Sequence, residues 1–108
     1  MEEKRKFSRC FTQLEARFLK EGEREWEEAT IINISRKGIG IKFHTPGKIN
    51  IGSTIHLAII VSGESDPIMV KGVLGWIKQK ENYFIGGIEL DEDLEEVKWA
   101  KLVLYNRE

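Results

Sequence analysis

At residues 31–43 the sequence reads IINISRKGIGIKF, in which two apolar runs flank a short polar segment. Asn33, Ser35 and Gly38 are typical of a tight turn, because Asn and Ser side chains bond back to nearby backbone and Gly supplies a positive φ angle. The second apolar run alternates with period two, as a half-buried strand does. The segment therefore predicts two β-strands joined by a turn.

The alternation also predicts which side chains this segment displays. Side chains two residues apart share one face of a strand, so we expect Ile32 and Ile34 to point into a core. Asn33 and Ser35 would then lie side by side on the outer surface. An amide, a hydroxyl and the N–H groups of a turn suit an anion or the edge of a nucleobase.

A basic segment, residues 4–9, precedes the first predicted strand. Its Arg5 and Arg9 are four residues apart, which puts both guanidinium groups on one side of the chain. The planar guanidinium fork matches a phosphate or the O6/N7 edge of guanine. Two arginines at this spacing are easily met by chance, so the segment alone does not define a site.

Taken together, the two motifs resemble the PilZ domain family, whose members are bacterial receptors for cyclic di-GMP. The shared pattern is Arg-x-x-x-Arg, here Arg5 and Arg9, followed by Asn-x-Ser-x-x-Gly, here Asn33, Ser35 and Gly38. The resemblance implies that the arginines clamp phosphate and the guanine O6/N7 edge. It also implies that Asn33 and Ser35 hydrogen-bond the ligand, while Gly38 shapes the turn and lets the ligand approach the backbone.

The sequence departs from the common family pattern at one position and varies at another. Asn33 stands where Asp is frequent, which keeps the hydrogen-bonding shape and removes a negative charge. Lys4 stands where the family sometimes carries Arg, a variation associated with a stacked ligand dimer, so one or two bound ligand molecules both remain open. Lys6 and Arg36 are basic neighbours that could assist.

Trp76 has two interpretations at this stage. It shares a predicted strand face with Val70 and Leu74, which favours a core aromatic residue. It could instead be a surface ring on which a guanine stacks, an interaction that contributes about 1–3 kcal/mol per base. The surrounding segments, residues 72–76 and 86–90, also look like the closing strands of the family.

Alternating apolar residues define six short strands separated by turn signals. These predicted strands cover residues 13–18, 26–32, 39–43, 55–61, 68–77 and 83–90. Short strands at near-regular spacing argue for an antiparallel barrel or sandwich. The resemblance implies a barrel followed by one helix.

From residue 91 the apolar period becomes helical. The expected apolar stripe consists of Leu94, Val97, Ala100 and Leu104. Trp99 lies off this stripe. The prediction is an all-β dominated fold, a six-stranded antiparallel β-barrel with a C-terminal α-helix. It forms a single domain with a basic arm at 1–9, the barrel at 10–90 and the helix at 91–106.

Composition narrows the classes of function. The 108 residues carry 17 Lys and Arg against 18 Asp and Glu, a formal net charge of −1. This balance argues against a protein that coats a nucleic acid polymer. The single Cys10 excludes an internal disulfide, and the longest apolar run, residues 57–61, is too short to cross a bilayer. We therefore expect a soluble cytoplasmic protein without membrane insertion.

The resulting hypothesis is a receptor that binds cyclic di-GMP, orders its N-terminal arm on binding and signals to an unidentified effector protein. We do not expect an enzyme, because the sequence contains no recognisable nucleophile–base set. His44 and His56 are isolated, without the spacing of a metal site, and no cofactor is implied.

Two other classes of function stay open. The first is a PilZ-like adaptor that has lost cyclic di-GMP binding and works through exposed apolar residues such as Trp99 and Val103. The second is a small barrel that binds single-stranded nucleic acid through basic and aromatic residues. The net charge of −1 counts against the second.

Overall fold

Six β-strands close into an antiparallel barrel, and one α-helix follows the last strand. The computed structural model describes residues 10–44 and 49–104. Its elements are β1 (Cys10–Lys20), β2 (Glu27–Ile34), β3 (Gly38–Phe43), β4 (Thr54–Ile59), β5 (Ile68–Gln79), β6 (Phe84–Leu90) and α1 (Glu96–Leu104). Around the barrel the strands follow the order β1-β2-β3-β6-β5-β4. The predicted six-stranded antiparallel barrel with a C-terminal helix is confirmed.

Along each strand, about every second side chain points inward and fills the barrel interior. In β4, for example, Ile55, Leu57 and Ile59 are fully buried, and the residues between them are partly exposed. Phe18 and Phe43 meet edge to face in this core, with ring centroids 4.8 Å apart. Each fully buried side chain of this size contributes roughly 1.5–3 kcal/mol to folding.

An extra residue in β2 changes which of its side chains reach the core. Ile31 pairs with Ile41 of β3, whereas Asn33 pairs with Gly40, so Ile32 has no counterpart on that strand. Ile31 is fully buried and Ile32 is only half-buried. The prediction that Ile32 points into the core is therefore wrong, because a bulge reverses the alternation.

A second bulge has the same effect in β5. Leu74 pairs with Ile88 of β6 and Trp76 pairs with Gly87, which leaves Gly75 as the extra residue. Leu74 is fully buried, whereas Trp76 is 49% exposed. The expectation that Trp76 shares a core-facing side with Leu74 is wrong, and its indole lies on the outer surface.

The helix meets the barrel through a different face from the expected one. Leu94 is buried in the non-helical segment before α1, where its N–H donates to the carbonyl oxygen of Arg36 at 2.8 Å. In the helix, Leu102 belongs to the core and Trp99 packs against it, and Val103 is also buried. Val97, expected in the stripe, is 60% exposed. The prediction failed because it counted Leu94 in the helical period, although α1 begins only at Glu96.

Residues 10–44 and 49–104 contain no candidate membrane-spanning helix and no candidate metal cluster. In those residues no helix is long and apolar enough to cross a membrane. In the same residues, no group of three or more His, Cys, Asp or Glu side chains is arranged to hold a metal ion.

Candidate functional site

Four residues form a row across neighbouring strands on the outer surface of the barrel. Asn33 of β2 pairs with Gly40 of β3, and Gly40 pairs with Gly87 of β6. Gly87 in turn pairs with Trp76 of β5. The two bulges place Asn33 and Trp76 on the same side as the outward faces of the two glycines. We call these four residues the glycine row.

The two outer side chains of the glycine row lie directly on the backbone of the glycines between them. A Cβ atom added at Gly40 would lie 2.8 Å from Cγ of Asn33. One added at Gly87 would lie 2.7 Å from Cδ1 of Trp76. Both distances are too short for real carbon contacts. Only glycine lets the amide and the indole occupy these positions, and the 49% exposed ring still presents surface to solvent.

Ser35 holds the turn that follows β2. Its Oγ accepts hydrogen bonds from the N–H of Gly38 at 3.0 Å and of Lys37 at 3.4 Å, and it lies 3.2 Å from the Gly38 carbonyl oxygen. The Ser35 N–H donates to that same oxygen at 2.8 Å. Ser35 is only 6% exposed, so the expectation that it is displayed beside Asn33 is wrong. The hydroxyl turns back over the chain reversal instead.

At Gly38 the constraint is a tight contact rather than an unusual backbone angle. The described residues with positive φ are Gly22, Gly52 and Gly63, so the expectation of a positive φ at Gly38 is wrong. A Cβ atom at Gly38 would lie 3.2 Å from the carbonyl oxygen of Ile88. The glycine therefore allows β3 to start close against β6.

A shallow depression of about 330 Å³ lies beside the glycine row. Its lining includes Ser35, Lys37, Gly38, Trp76, Gly87 and Glu89. This volume is at the lower end of the range for small-molecule sites. The depression extends from the Trp76 ring to the turn after β2. Ser35 and Gly38 therefore border the same surface as the tryptophan.

The two cations in the turn after β2 are directed towards the C-terminal part of the chain. Nη2 of Arg36 is 3.2 Å from both carboxylate oxygens of Glu96, and the Arg36 guanidinium lies 5.2 Å from the centroid of the Trp99 ring. Nζ of Lys37 lies 3.7 Å from Asp93. We expected Arg36 to assist in ligand binding, but its side chain instead contacts Glu96 and Trp99 of α1.

The N-terminal arm joins the barrel at the glycine row. Phe11 of β1 pairs with Asn33, and Cys10 pairs with Ile34. Arg9 is attached to Cys10 by one peptide bond. The other predicted contacts of the arm, Lys4, Arg5 and Lys6, lie with Arg9 outside the described residues. The start of β1 nevertheless fixes the point from which the arm departs.

Sequence reasoning missed two members of the glycine row, Gly40 and Gly87. A signal was present, because glycine inside a strand pattern often marks a close approach of another group. The sequence does not show that these two residues face each other across β3 and β6. That pairing joins strands that are distant in the chain.

A second depression lies on the side of the barrel where the segment before α1 crosses β4 and β5. It has a volume of about 370 Å³. Its lining is mixed in charge and includes Lys71, Asp91, Asp93 and Lys98. Lys71 lies 3.6 Å from Asp91, and Lys98 donates to the backbone oxygen of Met69. These groups satisfy one another, and the depression contains none of the predicted ligand residues.

The fold is that of a known family of domains. The sequence model of the PilZ domain matches residues 3–107, and the chain belongs to the PilZ domain family. PilZ domains form a family of cyclic di-GMP receptors.

A solved structure shares the fold. The chain is similar to the Bacillus subtilis inhibitor of motility (MotI/DgrA), with a TM-score of 0.71 and 19% sequence identity. The match covers 94% of this chain and 49% of that chain, so this chain spans about half the length of that neighbour. At this identity the likeness shows the fold alone. No curated protein matches the chain.

Replacing Ser35 by Ala should destabilise the barrel. The change removes the side-chain acceptor of the partly buried N–H groups of Gly38 and Lys37, and the loss of such a hydrogen bond costs about 0.5–1.5 kcal/mol in the free energy of unfolding. Urea unfolding followed by circular dichroism measures this loss. The control is Ser62→Ala, in the exposed turn after β4. Equal stability of the two variants would contradict the structural role given to Ser35.

Proposed function

We propose that this protein binds cyclic di-GMP on the glycine row and passes the signal to another protein. The observation that carries the proposal is the half-exposed Trp76 ring lying over Gly87, in line with Gly40 and Asn33. This row borders the start of β1, to which the arginine arm is attached. Membership of a cyclic di-GMP receptor family supports the same ligand.

The ligand has two guanines and two phosphates, and the site offers a group for each. Trp76 provides a stacking surface for one guanine. Because Gly40 and Gly87 have no side chains, the Asn33 amide and the Trp76 indole lie against the barrel, and the half-exposed indole offers its solvent side to a base. Asn33 provides a donor and an acceptor for a base edge or a phosphate.

The cations come from the arm. Arg5 and Arg9 clamp phosphate and the guanine O6/N7 edge, because a guanidinium fork binds both in bidentate fashion. Lys4 adds charge next to Arg5, and the number of ligand molecules held there is one or two. The other predicted ligand residues, Ser35 and Gly38, act chiefly by holding the turn beside the depression.

Binding transmits a signal because it connects the arm with the barrel. The arm contributes Arg5 and Arg9, whereas the barrel contributes Asn33 and Trp76. A ligand that contacts both sets holds the arm against the glycine row and changes the surface offered to a partner. No reaction is involved: the protein acts by binding, in the cytoplasm, where its second messenger would meet it.

The adaptor alternative gains no support from the residues first considered for it. Val103 is 8% exposed and Trp99 is packed against the core, so neither is the exposed contact that the alternative required. The net charge of −1 still argues against the alternative in which the barrel binds single-stranded nucleic acid.

Titration calorimetry with cyclic di-GMP tests the proposal directly. We expect micromolar or tighter binding by the unaltered protein. Arg9→Ala should weaken binding about 10–100-fold, because a hydrogen bond to a charged group contributes about 1.5–3 kcal/mol. Arg24→Ala is the matched control, since Arg24 is exposed in the turn between β1 and β2, at the other end of that hairpin from Asn33. Absence of binding by the unaltered protein would refute the receptor function.

The role of the indole can be measured separately. Trp76→Ala should lose roughly 1–3 kcal/mol of binding free energy, the contribution of one base–aromatic stack. Trp76→Phe should retain most of it. The same titrations on Trp26→Ala provide the control, because Trp26 is 39% exposed but lies at the opposite end of the β1–β2 hairpin. Equal affinities of Trp76→Ala and Trp26→Ala would rule out stacking on Trp76.

Hydrogen exchange tests the proposed coupling between ligand and arm. Saturating cyclic di-GMP should slow amide exchange in residues 1–10, because the ligand bridges the arm and the barrel. In Arg9→Ala, at a ligand concentration that gives the same occupancy, the protection should be smaller. Unchanged exchange in residues 1–10 of the saturated unaltered protein would remove this mechanism and leave ligand binding itself intact.

A further inference from the structure

Glu89 lies on the same outer face of β6 as Gly87, two residues further along the strand. Successive outward side chains of a strand are separated by about 6–7 Å. Glu89 also pairs with Gly38 of β3 and Val73 of β5, and it lines the depression together with Trp76. Glu89 therefore borders the same depression as the ring on which a flat group would stack.

The Glu89 carboxylate is an available acceptor. It is exposed, and in the part of the chain that the structure describes no side-chain hydrogen bond or ion pair engages it. The acids that pair with the turn after β2 are different ones: Glu96 contacts Arg36, and Asp93 lies close to Lys37. The depression thus has an uncommitted anionic group at one side.

A single acceptor pair of this kind distinguishes purine bases. Guanine presents two adjacent donors, N1–H and the 2-amino group, which match the two oxygens of a carboxylate. Adenine presents a lone pair at N1 and has no 2-amino group, so the same carboxylate would face an acceptor. Sites built to receive a donor reject analogues that lack it, because their polar groups then stay unsatisfied.

We propose that Glu89 is a specificity-determining residue that accepts hydrogen bonds from N1–H and the 2-amino group of a guanine stacked on Trp76. This inference rests on the proposed function, since it requires cyclic di-GMP to occupy the glycine row. It assigns recognition of the N1–H and 2-amino edge of that base to the barrel.

Removal of the Glu89 charge should change the affinity for cyclic di-GMP in opposite directions under the proposal and under simple charge repulsion. Cyclic di-GMP carries two negative phosphates, so an exposed carboxylate acting only through its charge repels the ligand. Its removal would then strengthen binding slightly, by an amount that salt screens. If Glu89 instead accepts hydrogen bonds from the base, its removal weakens binding. The sign of the change therefore decides between the two.

The test is calorimetry with three ligands: cyclic di-GMP, cyclic di-AMP and cyclic di-inosine monophosphate, which lacks the 2-amino groups. The proteins compared are the unaltered chain, Glu89→Gln, Glu89→Ala and the control Glu81→Gln. Glu81 is exposed in the turn between β5 and β6, at the opposite end of β6 from Glu89. Because both glutamates are exposed, all variants should keep the circular dichroism spectrum of the folded barrel.

We expect Glu89→Gln and Glu89→Ala to weaken cyclic di-GMP binding about 10–100-fold, as loss of a charged acceptor does. The preference for cyclic di-GMP over the inosine ligand and over cyclic di-AMP should shrink in both variants and persist in Glu81→Gln. Unchanged or tighter cyclic di-GMP binding by Glu89→Gln would overturn this inference alone. An unaltered protein that binds no cyclic di-GMP would overturn the proposed function and this inference with it.

Discussion

The arrangement of the glycine row depends on one constraint: the side chains of Asn33 and Trp76 lie so close to Gly40 and Gly87 that neither glycine can carry a side chain. Each glycine lies under a side chain from the next strand, the Asn33 amide in one case and the Trp76 indole in the other. A methyl group at either position would push that side chain off the row. The bulges at Ile32 and Gly75 complete the arrangement, because they turn Asn33 and Trp76 to the side where the glycines leave space.

The turn after β2 links this surface with the rest of the chain. The carbonyl oxygen of Lys37 accepts the N–H of Leu90, and that of Arg36 accepts the N–H of Leu94. The Arg36 side chain then contacts Glu96 in the first turn of α1. The turn that Ser35 stabilises therefore lines the depression and also holds the segment before α1 in place. Loss of the Ser35 hydroxyl affects both through the same few hydrogen bonds.

Alternation and turn chemistry predicted the strands, their number and the C-terminal helix, and two short motifs indicated the family. The errors have local physical causes. A bulge adds one residue and reverses the outward and inward sides, which misplaced Ile32 and Trp76. Glycine inside a strand often marks a bulge, so Gly75 carried a signal, whereas Ile32 did not. Leu94 has the spacing of a helical residue but is buried ahead of the helix. The pairing of Gly40 with Gly87 depends on the register of strands far apart in sequence, which local patterns do not contain.

Closure of the barrel has a consequence for how another protein can recognise this one. The strands β2, β3 and β6 pair with a neighbour on both sides, so their backbone groups are already used, whereas β5 pairs with β4 only from Ile68 to Val73. A partner cannot extend the sheet at β2, β3 or β6 by adding a strand, as happens at the open edge of many β-proteins. In the described residues, β4 pairs with β1 only along Ala16 to Lys20, and the earlier part of β1 is paired with β2. A partner that binds β2, β3 or β6 must therefore recognise side chains, and such surface residues can change without altering the fold.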